Sequence, residues 1–326
     1  MSPDPTRRDP VGGAPTARPR VGIVLLPEGR WAQERRRWQR AEEYGFDSAL
    51  TYDHLAWRDL AGEPWYATVP TLVAAATATS WIRLGTWVAS PNYRHPVPFA
   101  KELMTLDDVS GGRTVLGVGA GGAGHDARVL GGDRLPAGDR VRRFSEFVEL
   151  LDLLLAGDRV SYTGEYYCAA DARMVPGCVQ RPRLPFVVAA NGPRAMGVAA
   201  RYGQGWATTG SSPPENGPDA WWRGVAALVS RLDEVCASVG RDPSTIERWL
   251  SVDASGVYSL DSLEAFLDAY GRAGELGFAE VVVHWPRPTG PYAGSQDVLE
   301  EVAGWLAAAR TDGVAQTCGA PSQHGS

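Results

Sequence analysis

The chain has 326 residues, 44% of them hydrophobic, with a net charge of −6. That length and apolar content suffice for one large core and suit a barrel of alternating strands and helices. The acidic balance, without any basic block, excludes the electrostatic footprint of a nucleic-acid binder, and no run approaches the roughly 20 apolar residues of a membrane span.

Residues 1–19, rich in Pro, Arg and Gly and lacking an apolar segment, are expected to be a disordered tail rather than a secretory signal. VGIVLL (21–26) reads as a first strand and 31–46 as its helix. DSALTYDH (47–54) with 69–80, 82–90 with 97–112, and RTVLGVGAG (113–121) with 139–158 make the next three strand–helix pairs. Residues 159–182 alternate like a short hairpin and are expected to be an insertion after the fourth helix. PFVVAAN (185–191) with 193–203 and GWATTG (205–210) with 220–240 follow. RWLSVDAS (248–255) precedes a helix opened by Asp261 and Glu264 at capping-box spacing. AEVVVHWP (279–286) is the eighth strand, and Leu299, Val302, Ala303 and Leu306 mark the last helix. Residues 20–310 therefore read as one domain and 311–326 as a second loose tail. Strands joined by helical crossovers lie parallel, and eight such units predict a TIM-like (β/α)8 barrel. An open doubly wound sheet is the alternative.

The four cysteines, Cys168, Cys178, Cys236 and Cys318, are scattered, which suits a reduced, cytoplasmic protein. In a barrel the working face lies at the carboxyl ends of the strands. Asp53 and His54 end the second strand, His95 follows the third, His125 the fourth, and His284 ends the eighth, with Trp285 beside it; only His324 falls elsewhere. Each histidine could instead cap a loop. Asp53 reads as orienting a neighbour or capping a backbone N–H ahead of acting in proton transfer itself, and Trp57 either joins the core or walls a pocket. No metal is expected, because the H-x-H and H-E-x-x-H spacings are missing, although a metal-dependent hydrolase is the competing barrel enzyme. There is no G-x-S-x-G elbow.

Gly119, Gly121 and Gly124 match G-x-G-x-x-G, but HDARVLGGDRLPAG intervenes where the nucleotide fingerprint needs an immediate helix. Glycines here are better read as letting a flat ring or a phosphate approach the backbone. Asn191, Gly192 and Pro193 open a helix, a natural anion seat. Thr209 and Gly210 lie in TTGSS after the sixth strand, either as cofactor contacts or as plain turn chemistry.

The second strand's DH, the run ATSWIRLGTWVASPNYRHPVPFAKELMTLDDVSGGRTVLGVGAG (77–121) and LPFVVAANGPRAMGVAARYGQGW (184–206) resemble the bacterial luciferase-like monooxygenases and oxidoreductases. The resemblance implies an insertion-bearing barrel using reduced FMN or the deazaflavin coenzyme F420, with the nearby Trp pointing to the deazaflavin branch. It further implies His54 as proton donor or acceptor, Trp57 as a pocket wall, and a cis peptide bulge at Trp87–Val88 behind the ring. Gly119, Gly121 and Gly122 would pass the cofactor tail, Gly192 and its neighbours would hold phosphate, and Tyr93, Arg94 and His95 would line the pocket. The sequence departs from the family at Gly122, where relatives often carry glutamate, at Gln204, and in having Lys101 as its only lysine. Trp57, Trp65, Trp87, Tyr93 and Trp285 predict a small apolar or aromatic organic substrate. A homodimer is expected by analogy.

Overall fold

Eight short strands, every neighbouring pair parallel, close into a ring. The computed structural model describes residues 18–57, 60–122, 124–133, 135–211 and 216–318, with side chains through 311. The expected tail segments 1–17 and 319–326, with His324, lie outside the described residues. In chain order the elements are β1 (Arg20–Val24), α1 (Trp31–Glu43), β2 (Ser48–Thr51), α2 (Thr68–Ala78), β3 (Arg83–Ala89), α3 (Pro96–Val109) and β4 (Thr114–Gly119). After them come α4 (His125–Val129), α5 (Ala137–Ala156), β5 (Arg159–Thr163) and β6 (Cys168–Arg173). The remainder is β7 (Phe186–Ala189), α6 (Pro193–Tyr202), β8 (Gly205–Thr208), α7 (Pro218–Ser238), β9 (Glu247–Ser251), α8 (Leu263–Glu275), β10 (Glu280–His284) and α9 (Gln296–Cys318). Around the ring the strands run β1, β2, β3, β4, β7, β8, β9, β10 and back to β1, so the open-sheet alternative is excluded. The antiparallel β5–β6 hairpin stands outside the ring, the insertion expected after the long fourth helix.

Strand residues alternate between two cores, as the period of two requires. Ile23, Ala49, Leu84, Leu116, Val188 and Val283 face the helices, whereas Val24, Leu50, Val115, Val187, Trp249 and Val282 fill the ring. The amino-terminal end of the ring is closed by buried charge. Arg20 bonds Glu247 at 2.5 Å and Glu280 at 3.1 Å, and Ser48 donates to Glu280 at 2.5 Å. The ring therefore opens at its other end, where loops of varied sequence follow each strand.

Three expectations change. The segment after Gly124 is not all loop, because His125–Val129 forms the short helix α4. The cap of α8 is Ser262, whose hydroxyl accepts the Ala265 amide at 3.1 Å, not Asp261 one residue earlier. Finally, α9 continues to Cys318, so 311–318 is helical rather than loose tail.

Candidate active site at the barrel mouth

The chain leaves β2 through Tyr52, Asp53 and His54. Asp53 is fully buried and accepts the Tyr93 hydroxyl at 2.5 Å and Arg94 at 2.7 and 3.1 Å. Arg94 also bonds Glu102 at 2.8 Å, and its guanidinium lies 4.7 Å from the ring centres of both Tyr93 and Phe99. Burial works against the Arg94 charge, but the Asp53 partnership outweighs it and raises its pKa. Burial, and then the Asp53 charge, push the Tyr93 hydroxyl far above its ordinary value, so it stays a donor. Both Asp53 oxygens are thus occupied. Asp53 is placed to orient its neighbours, and Tyr93 and Arg94 direct polar atoms to it.

His54 is held differently. Its side chain is 28% exposed, and Nδ1 lies 2.8 Å from Asp126 Oδ2. Asp126 is buried, and its other oxygen accepts the Leu55 amide at 2.8 Å. Burial pushes Asp126 up, but the His54 bond and charge and the Leu55 amide together outweigh it, so its pKa is lowered. An ionised carboxylate only accepts, which places the proton of neutral His54 on Nδ1 and leaves Nε2 as an acceptor. Asp126 was not among the expected site residues. The only signal in the sequence was an acid next to His125 at the start of what proves to be α4.

A second histidine lies beneath the mouth. His284 is 2% exposed, with its ring Nδ1 and its amide 2.8 and 2.7 Å from Asp253 Oδ2. Its Nε2 is 2.9 Å from the Tyr52 hydroxyl, which is 2.9 Å from that of Tyr292. The Tyr292 ring stacks on His284 at 3.8 Å and on Trp57 at 6.3 Å. Trp57 also meets Tyr52 edge-on, and Trp65 donates its indole N–H to the His54 carbonyl at 2.9 Å. His284, expected to line the pocket, is therefore roofed by Tyr292. Asp253 and Tyr292 escaped notice because the first lies just past β9 and the second in a Pro- and Gly-rich loop that folds back.

Three other expected liners do other things. Trp285 points out of the ring, buried in the helix-facing core and stacked on Tyr44 at 6.2 Å. His95 is exposed, caps α3 by accepting the Val97 amide at 3.3 Å, and meets Tyr167 of the insertion edge-on. His125 opens α4, partly exposed, beside Asp126 rather than inside the ring.

From β3 round to β8 the wall is glycine and backbone. The Trp87–Val88 peptide is cis, the β3–β4 register skips between Thr86 and Ala89, and Trp87 lies in the inner core against Trp249 at 6.1 Å. A Cβ on Gly119 would come within 3.1 Å of Val88, and Gly121 has φ +72° with its missing Cβ against Asn92. Gly122 is exposed, and a Cβ there or on Gly192 would meet nothing within 4 Å. Asn191 accepts the Thr208 hydroxyl at 2.7 Å and donates to the Gly210 carbonyl at 2.8 Å, lashing the turns after β7 and β8 together. The Thr209 carbonyl accepts the Trp221 indole at 3.0 Å. Gly192 and Pro193 then begin α6, whose first amides have no partner within the helix. An open lane past strand-end glycines to a helix amino terminus fits a flat ring carrying a phosphate. Among the described residues, no three His, Cys, Asp or Glu side chains converge as a metal site.

The family model described as luciferase-like monooxygenase matches residues 12–324. An F420-dependent glucose-6-phosphate dehydrogenase of Beutenbergia cavernae is 40% identical over 61% of this chain and 59% of its own. An F420-dependent hydroxymycolic acid dehydrogenase of Mycobacterium tuberculosis is 31% identical over 72% of this chain and 63% of its own. The chain thus spans less than two thirds of the length of either relative. Among solved structures, an F420-dependent secondary alcohol dehydrogenase holding an F420–acetone adduct superimposes with a TM-score of 0.72 at 19% identity, covering 89% of this chain and 98% of the other.

Proposed function

Given that the chain belongs to the luciferase-like monooxygenase family, we propose that it is an oxidoreductase that uses coenzyme F420 to exchange a hydride with a neutral, largely apolar or aromatic alcohol or carbonyl compound. The observation that carries this reading is the His54–Asp126 pair, which offers an imidazole acceptor at the mouth. When bound, the deazaflavin supplies the hydride acceptor. The chain supplies the rest. His54 Nε2 takes the hydroxyl proton of the alcohol as its carbon gives up the hydride, and Asp126 steadies the imidazolium that results. In the reverse direction the same nitrogen returns the proton to the carbonyl oxygen. The brace of Asp53, Tyr93 and Arg94 fixes the strand end from which His54 projects. Gly119, Gly121 and Gly122 would pass the cofactor, and the amides beginning α6 at Gly192 would take its phosphate.

The substrate class follows from charge. Near the mouth Arg94 is consumed by Asp53 and Glu102, and Arg287 by Glu28 at 2.9 Å. Neither of these two is left to clamp a sugar phosphate, and Arg140 and Arg143 lie apart on α5, while Tyr52, Trp57, Trp65 and Tyr292 supply aromatic wall. The named activities of the two relatives bracket this choice, one a sugar phosphate and the other a mycolic acid. The test is a turnover panel with F420, comparing aliphatic and aromatic secondary alcohols with glucose 6-phosphate. Bleaching of the deazaflavin by neutral alcohols is expected. Faster turnover of glucose 6-phosphate than of every neutral alcohol would overturn the substrate assignment.

A further inference from the structure

Outside the mouth, one cluster of cations is assembled without acids to balance it. Arg140 and Arg143 lie one turn apart in the first half of α5, at the same end of the ring as the mouth. In both, Nε is buried and has no hydrogen-bond partner. Such a group is costly unless something accepts from it, and a pair on one helix face calls for a shared acceptor. Arg143 Nη2 bonds the Asn92 side-chain oxygen at 2.7 Å, and Asn92 is the residue that a Cβ on Gly121 would strike. Arg143 is therefore joined to the glycine turn after β4, with Arg140 one turn before it on α5. The insertion contributes from the other side. Tyr167 meets His95 edge-on at 5.4 Å, and burial pushes its hydroxyl up to about 12 against the pull of Arg143, leaving a neutral donor.

The local acids are engaged elsewhere. Arg142, between the two arginines in sequence, pairs with Asp139 at 2.8 Å and Glu165 at 3.5 Å. Glu146 spends its carboxylate on the amides of Glu165, Tyr166 and Tyr167. Among the described residues, no carboxylate forms an ion pair with Arg140 or Arg143. Two arginines on one helix, with a tyrosine hydroxyl and a histidine on the neighbouring elements, make a receptor for carboxylate or phosphate oxygens.

We propose that Arg140 and Arg143, with Tyr167 and His95 beside them, form an anion subsite that receives the glutamyl tail of F420 where it leaves the barrel past Gly121. The assignment rests on the F420 reading above. It gives the β5–β6 insertion a task, since that hairpin delivers Tyr167.

The test is a binding titration, followed by quenching of tryptophan fluorescence, with F420 carrying several glutamates and with the same deazaflavin lacking them. Wild type is expected to bind the tailed form roughly tenfold tighter at low salt, with the difference shrinking as salt is added. In R140Q/R143Q the two forms should bind alike, whereas R142Q, altering an arginine already ion-paired, should keep the preference. R140K/R143K, which retains charge, should keep part of it and guards against a folding defect. Equal affinity of both forms for wild type, or a tail preference that survives in R140Q/R143Q, would overturn the subsite while leaving F420 as cofactor. Equal affinity for wild type with a common loss in R140Q/R143Q would put the phosphate there instead and also overturn the tail assignment. Failure of wild type to bind either form would overturn the F420 reading and the subsite with it.

Discussion

Replacing His54 with alanine is expected to lower turnover about 10²–10⁴-fold, the usual worth of positioned acid–base help, while leaving cofactor affinity within about twofold of wild type. The asymmetry follows from where His54 stands. It projects from the end of β2 and bonds Asp126 of α4, whereas the lane expected to hold the cofactor runs from Gly119 to the start of α6. Asp126 supplies the pH signature. Its folded-state pKa is lowered, so it adds stability that is complete above its unfolded value of about 3.9 and is lost as pH falls through the lower folded value. Asp126→Asn should flatten the acid limb of the stability profile and reduce turnover. An acid limb and a turnover rate both unchanged in that variant would show that the pair does not act as described.

The second large effect is on stability. Asp53→Ala removes the carboxylate that holds Arg94 and Tyr93, leaving a guanidinium whose side chain is only 14% exposed. Breaking such a pair from one side costs about 3–5 kcal/mol, and the remaining Glu102 contact puts the expected loss near about 3. Thermal unfolding should fall by several degrees. Asp53→Asn keeps the shape and accepts from Tyr93, so it should unfold between the two and retain most turnover. If Asp53→Asn instead lost as much turnover as His54→Ala with a wild-type melting curve, Asp53 would be a catalytic residue and not a brace.

The ring itself was legible because each strand–helix unit announces itself locally, and the insertion stood out by breaking that period. His54, the glycines after β4 and the helix start at Gly192 were legible for the same reason: they lie at strand ends, which the barrel brings to one face. What escaped was what a chain can only learn by folding. Asp126 reaches His54 across 72 residues of sequence, Asp253 reaches His284 across 31, and Tyr292 reaches Tyr52 across 240. No spacing rule encodes such pairs. Trp285 is a different case. Val282 and His284 face inward, so the period of two already sends the next residue to the helix side, where it stacks on Tyr44. The error lay in reading its aromatic character before its parity. Asp53 shows a related limit: its acidity was plain, but whether it was available depended on Arg94, brought in from the turn after β3.

The most direct measurement is a side-by-side titration of wild type and His54→Ala with oxidised F420 and with FMN, followed by tryptophan fluorescence, since Trp87 lies in the inner core and Trp57 packs against it. Saturable F420 binding of similar affinity in both proteins, with FMN bound far more weakly and turnover lost only in the variant, is the predicted result. Tight FMN binding with no F420 binding, or full F420-dependent turnover in His54→Ala, would contradict it.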